Sequence, residues 1–324
     1  MNTEQVIKIS EIYHLNPIEN VQIIRNEDHL LVKLTDTHKQ NFYLKGEKAE
    51  RTHWEKCCEY ATYLKINGLP VSSYLKNNQN QYTTEYKGLV LTMEQAVCGE
   101  SVEVINDNKI FEIGKLLGQQ HQLSLQYKST FQQATSWSMF GGNTTDRMGD
   151  YDENELSFID FIQHFSNQPL CNEIKKYYLE KRTLLKEFWH ALPQGAVQGD
   201  FCYYNLLFSN DFITGIYDFN LAGDEVYLNE CIAVGVYHAW HVEYEGSLAP
   251  LDRFQQFISA YTSQRPFKAI ELNVLNDLFA IIRAFRFDRI EDGIALTNPL
   301  DINQFMEETL SILTDARGEF LSSN

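Results

Sequence analysis

Nowhere in these 324 residues is there an apolar run of the roughly eighteen residues that a membrane-crossing helix needs, so no transmembrane span is expected. The opening residues, MNTEQVIKIS, carry no apolar signal core, and a cytoplasmic setting is the expectation. Cysteine is scarce and scattered: six residues, at 57, 58, 98, 171, 202 and 231, with no C-x-x-C pair. That spacing argues against a tetrahedral thiolate metal site or a disulfide framework and leaves reduced, packed thiols. Cys202, with no base arranged for it, reads as a small hydrophobe rather than a nucleophile. Positive charge is short as well. Lys and Arg number 27 against 44 Asp and Glu, a net charge of −17. An acidic surface repels nucleic acid, so no nucleic-acid partner is expected. It suits either solubility alone or a cationic small molecule. Internal repeats and low-complexity tails are missing too.

What is present is ample core material, with 44% hydrophobic and 13% aromatic residues, on a chain long enough for two lobes. Three short apolar and β-branched runs, residues 21–25, 30–34 and 41–45, are separated by polar turns at 26–29 and 35–40, which predicts an antiparallel sheet. The third run ends in Lys45. A helical pattern follows over 51–67, with Trp54, Cys57, Cys58, Ala61 and Leu64 at three- and four-residue steps and Gly68 and Pro70 just beyond. Glu55 and Glu59 sit on that helix one turn apart. Two further strands are expected at 83–85 and 89–93, leading into Glu94, Gln95, Ala96 and Val97.

The most telling block is QGDFCYYNLLFSNDFITGIYDFN, residues 198–220. Asp200 and Asn205 stand five residues apart. The apolar run Leu206-Leu207-Phe208 follows, then a turn at 209–211, then Ile213–Tyr217 and Asp218. Such a hairpin returns Asp218 toward Asn205, so that two hard oxygen donors converge, as Mg²⁺ prefers. Asp200, upstream, is placed to accept a proton from a hydroxyl.

This block resembles the aminoglycoside phosphotransferase and choline kinase group of small-molecule kinases, which share the protein-kinase fold. Their pattern reads H-G-D, four residues, N, an apolar hairpin, then I-D-F or I-D-W. Here Gly199, Asp200, Asn205, Asp218 and Phe219 match, and Gln198 stands where the group has His. The resemblance implies a bilobal α+β fold, with residues 1–97 as a nucleotide-binding lobe and 98–324 as a mainly helical catalytic and acceptor-binding lobe. It implies transfer of the γ-phosphoryl group of ATP or GTP to a hydroxyl of an aminoglycoside, choline, homoserine or similar molecule. The alternative is a kinase-like nucleotide-binding protein with lost catalysis. Asp200 would serve as catalytic base, and Asn205 and Asp218 as metal ligands. Lys45, steadied by Glu55 or Glu59, would hold the nucleotide phosphates. Backbone groups of Glu94 to Ala96 would bind adenine at an inter-lobe hinge, with Met93 beside the purine. No G-x-G-x-x-G lies between the first two strands, and no A-P-E segment follows Asp218. The second absence argues against a protein kinase.

From about residue 101 the pattern is mostly helical, with helices expected at 109–123, 154–165, 172–190, 228–241, 252–263, 271–289 and 301–320. His121 reads as a structural helix-end histidine. Residues 135–155 are polar and Gly-containing, a surface loop or a lid over the acceptor. Asp224 and Glu225 are candidates either to hold the acceptor or to cap the next helix. Tyr203, Tyr204, Tyr237, Trp240 and Tyr244 read as aromatic walls or as core.

Overall fold

Strict alternation of buried and more open side chains along residues 29–36 and 41–47 gives a sheet with one dry face, as the sequence pattern requires. The structure is a computed structural model that describes residues 1–27, 29–135, 138–140 and 153–315. The turn residue Asp28, most of the expected loop or lid at 135–155, and the end of the expected last helix at 316–320 lie outside the described residues.

In chain order the elements are α1 (Thr3–Ile12), β1 (Ile18–Asn26), β2 (His29–Asp36), β3 (Asn41–Glu47), α2 (Arg51–Ile66), β4 (Ser73–Tyr74), β5 (Thr83–Tyr86) and β6 (Leu89–Gln95). Then come α3 (Asp107–Ser124), α4 (Glu153–His164), α5 (Cys171–Phe188), β7 (Gln194–Val197), β8 (Leu206–Ser209), β9 (Phe212–Ile216) and β10 (Gly223–Val226). The described chain closes with α6 (Tyr227–Trp240), α7 (Pro250–Thr262), α8 (Ala269–Ala284), α9 (Phe287–Ile294) and α10 (Pro299–Thr314). The class is α+β, with a small antiparallel sheet and a helical remainder, as expected. No helix among the described residues is long and apolar enough to cross a membrane.

The chain divides into two compact units, residues 1–102 with 200–222, and residues 103–199 with 223–324. The sequence-based boundary at 97/98 assigned the 200–222 stretch to the second lobe. Its packing places it in the first unit, because the β8–β9 hairpin bridges to Val71 and Glu100 and its following Phe219 packs edge-on against Tyr60 of α2.

In the first unit the sheet runs β1-β2-β3-β6-β4, with β5 also on β6, all antiparallel. Leu30, Val32 and Leu34 of β2, with Phe42 and Leu44 of β3 and Leu91 and Met93 of β6, form the dry face. Helix α1 covers it with Val6 and Ile9, joined by Tyr13 just past its end. The sequence reading missed α1. Its signal was the Asn2/Gln5 capping box, each side chain bonding the other's backbone N–H. The opposite face of the sheet carries Lys33, Tyr43, Lys45 and Glu94.

The second unit is built of helices around a two-stranded β7–β10 ribbon. Helices α3 and α7 approach closely because Gly114 and Gly118 lack side chains. A Cβ on either would lie 2.4 or 2.5 Å from the carbonyl oxygens of Phe257 and Tyr261. The helix expected over 271–289 is two helices. Asn154 donates its amide to the carbonyls of Ile282 and Phe285, ending α8, and Arg286 is extended before α9 begins.

Candidate active site

Gly199 has φ +81°, a conformation open chiefly to glycine, and it turns the chain out of β7 into the 200–205 loop. Within the second unit, Glu230 of α6 accepts the Gly199 N–H at 3.0 Å and contacts His121 Nε2 at 2.5 Å. His121 Nδ1 in turn meets the Tyr261 hydroxyl at 2.7 Å. Burial, reinforced by the charge of Arg265, holds the His121 pKa well below its ordinary value. The ring is therefore neutral, donating through Nε2 and accepting through Nδ1. His121 is structural, as its sequence context indicated. Glu230, which sequence reasoning did not single out, is what it holds.

In the first unit, Asp200 Oδ2 accepts from Asn205 Nδ2 at 2.8 Å, and Oδ1 accepts from the Tyr204 hydroxyl at 3.0 Å. Asn205 Nδ2 also donates to the Asp200 carbonyl at 3.0 Å. With its nitrogen so committed, the oxygen of the Asn205 amide is the atom left for a cation. Tyr204 stays a donor because burial raises its pKa, helped by Cys202 and Asp200.

The hairpin then does what its pattern promised. Leu206 pairs with Ile216, and the Tyr217 N–H donates to the Asn205 carbonyl at 3.2 Å. The next residue is Asp218, held at φ +63°, a left-handed conformation that Asp tolerates better than most residues. Its Oδ1 lies 3.4 Å from Lys45 Nζ. Phe219 is fully buried and His53 of α2 contacts the Asn220 carbonyl, so α2 braces the stretch just beyond Asp218.

Lys45 has a second and closer carboxylate, Glu94, at 2.9 Å. Burial alone would lower the Lys45 pKa. The charges of Glu94 and Asp218 more than offset that and hold it above its ordinary value, so the ammonium stays protonated. The expected partners are corrected here. Glu55 binds the N–H groups of Tyr82 and Thr83 and the Thr83 hydroxyl, and Glu59 is exposed. Helix α2 is turned so that Glu55 caps the start of β5 rather than reaching β3.

A cavity of about 770 Å³ in this unit is lined by Arg25, Lys33, Tyr43, Lys45, Glu94, Ala96, Tyr217 and Asp218, among others. Ala96 is at this wall, but its N–H is already given to the Asn41 carbonyl at 2.9 Å, so it is not an adenine donor. Met93 is also corrected. Its register partner is Leu44, on the dry face, so it packs against α1 and not in the cavity. Period-two alternation on β6 could have shown that Met93 and Glu94 face opposite ways. Asp224 and Glu225 lie on β10, not at a helix start. Asp224 accepts from the Gln132 N–H and the Thr130 hydroxyl through Oδ2, while its Oδ1 is buried without a hydrogen-bond partner among the described residues, and Glu225 accepts from the Thr135 hydroxyl, so neither carboxylate caps the next helix.

Among the described residues no group of three or more His, Cys, Asp or Glu is gathered for a metal. The donor set at the hairpin's open end, one amide oxygen and one carboxylate, fits a hard cation completed by water and phosphate.

Comparison with solved structures defines the class. The chain has the fold of aminoglycoside phosphotransferases and related small-molecule kinases. An amicoumacin kinase in complex with AMP-PNP, Ca²⁺ and its antibiotic matches with a TM-score of 0.61 at 15% identity, over 98% of this chain and 94% of the other. A spectinomycin phosphotransferase bound to ADP and spectinomycin matches with a TM-score of 0.55 at 11% identity, over 98% and 99%. An aminoglycoside phosphotransferase from Alicyclobacillus acidocaldarius matches with a TM-score of 0.57 at 12% identity, over 98% and 94%. No family model matches the chain. In sequence it resembles homoserine kinases: 34% identity over 83 residues with that of Janthinobacterium, 26% of this chain and 25% of the relative. With that of Parvibaculum lavamentivorans it is 26% identical over 215 residues, 64% of this chain and 61% of the relative. The matched part thus spans less than two thirds of these relatives' lengths.

Proposed function

We propose that the protein transfers the γ-phosphoryl group of ATP to a hydroxyl of a small molecule. What carries the reading is one convergence within the first unit. Asp200 touches Asn205, the hairpin brings Asp218 back to the same end, and Lys45 reaches Asp218 from the wall of a nucleotide-sized cavity. Retention of all four groups, beside the likeness to phosphotransferases, favours catalysis over the alternative, a site with lost catalysis.

In this reading Asp200, fixed by Tyr204 and Asn205, orients the acceptor hydroxyl and takes its proton as the phosphoryl group arrives. Lys45 holds the α- and β-phosphates. Asn205 and Asp218 hold Mg²⁺, which supplies neutralising charge at the phosphate oxygens when bound. Catalysis is then chiefly positioning and electrostatics. The adenine nucleotides in the similar solved structures favour ATP over the GTP that the sequence had left open. The relatives' names direct the acceptor search to homoserine and to hydroxylated antibiotics. A cationic acceptor suits the net charge of −17. A cytoplasmic setting, rich in ATP and reducing, suits six free cysteines.

The test is ATP consumption over a panel of homoserine, choline, ethanolamine, sugars, aminoglycosides and spectinomycin. It is run beside Asp200→Ala and Asp218→Ala variants shown folded by circular dichroism. Each variant is expected to lose at least the 10²–10⁴-fold typical of a missing general base or charge clamp. Near wild-type turnover by either refutes the assignment.

A further inference from the structure

A phosphate-binding lysine on a strand needs a fixed anion to hold its long side chain extended, and in kinase-type sites a helix carboxylate does this. Helix α2 offers none here. Both oxygens of Glu55 are used on Tyr82 and Thr83, with the Thr83 N–H at 2.8 Å and its hydroxyl at 2.5 Å. Glu59 is exposed.

The sheet supplies the anion instead. Tyr43 is paired with Glu94, and Lys45 with Thr92. Glu94 and Lys45 are thus diagonal neighbours on one face of adjacent strands, within reach of two long side chains. Glu94 Oε1 meets Lys45 Nζ at 2.9 Å, and Oε2 accepts from the Ser72 hydroxyl at 3.1 Å. The Glu94 side chain is 4% exposed and Ser72 is 1% exposed. Both oxygens are therefore anchored, one to the lysine and one to a rigid buried hydroxyl.

We propose that Glu94 is the positioning residue of Lys45, doing from strand β6 what the sequence pattern assigned to helix α2. This rests on the reading that the cavity takes ATP. It has a specific consequence. Without Glu94, Asp218 at 3.4 Å is the carboxylate left to Lys45, and the ammonium swings toward it and away from where phosphates sit. Glu94 keeps the lysine and Asp218 apart in role while leaving both at the same cavity.

The experiment is calorimetric titration of ADP in EDTA, which reads the lysine without any metal, together with separate KM values for ATP and acceptor. Glu94→Gln keeps the shape and the Ser72 contact and removes the charge. The expected result is an ADP Kd and an ATP KM raised on the order of ten- to a hundredfold, the range of one charge-assisted hydrogen bond. The acceptor KM is unchanged. Glu94→Asp, which restores the charge on a shorter stem, recovers part of the loss. Glu55→Gln lowers the melting temperature through β5 and leaves the ADP Kd within twofold. Ser72→Ala, which frees only the outer oxygen, weakens ADP severalfold and carries the test if Glu94→Gln does not fold. An unchanged Kd in Glu94→Gln, or in Ser72→Ala where the former is unfolded, overturns the proposal. So does a Glu55→Gln loss as large as that of Glu94→Gln. A wild-type protein that binds no ADP would instead overturn the kinase reading itself.

Discussion

Glu225 offers a sharp quantitative test, because it is an ionisable group buried among hydroxyls and a backbone N–H. It is 2% exposed on β10, and the hydroxyls of Thr135 and Ser138 and the Val226 N–H point at it. Burial outweighs these bonds and pushes its pKa from 4.5 up to about 7, with the Glu230 carboxylate adding to the rise. A raised carboxyl pKa means the folded state keeps the proton that the unfolded state gives up. Below pH 4.5 both states are protonated and the group costs nothing. Between 4.5 and about 7 stability falls with rising pH, and above 7 the loss is complete. A difference of about 2.5 pH units at about 1.36 kcal/mol each gives a total of roughly 3 kcal/mol. Replacing Glu225 by Gln removes this dependence. Urea unfolding of both proteins at pH 5 and pH 8 isolates it, since the other titrating groups are common to the pair. Because part of the loss has already occurred at pH 5, the variant should gain about 2 to 3 kcal/mol relative to wild type at pH 8 over its standing at pH 5. A stability difference equal at the two pH values would show that Glu225 ionises in the folded protein as it does in water, and would refute the reasoning.

Two other outcomes follow from the second unit. Gly114→Ala places a methyl 2.4 Å from the Phe257 carbonyl, so α3 and α7 must separate, and thermal unfolding should show a loss of about 1–3 kcal/mol. Glu230→Ala strips a buried acceptor from both His121 and Gly199 N–H, at about 1–3 kcal/mol for each orphaned donor. A folded Glu230→Ala with unaltered stability would mean that water replaces the carboxylate there.

Local chemistry made much of this protein legible. The strands β1 to β3 and helix α2 were readable because alternation and 3.6-residue spacing are set by backbone geometry alone. The convergence of Asn205 and Asp218 was readable for a similar reason. A short turn sets the register at Ser209 opposite Phe212 and brings the second strand back along the first, while a bulge between Leu207 and Phe208 shifts the pairing by one and puts Leu206 opposite Ile216. The same logic failed for Met93 and Glu94 only because which face of β6 meets the cavity depends on β3 beside it, some fifty residues away in sequence.

Tertiary structure alone decided the partners. Whether Lys45 meets Glu55 or Glu94 turns on the rotation of α2 over the sheet, which is set by Trp54, Cys57 and Leu64 filling the core and not by any local signal. The role of Glu230 was hidden because its partners, His121 and Gly199, are 109 and 31 residues away and neither spacing has a period. Sequence determined the chemical inventory and the elements that display it, because those depend on neighbours along the chain. Only packing decided which charges meet, because burial makes each pairing a matter of contact in space.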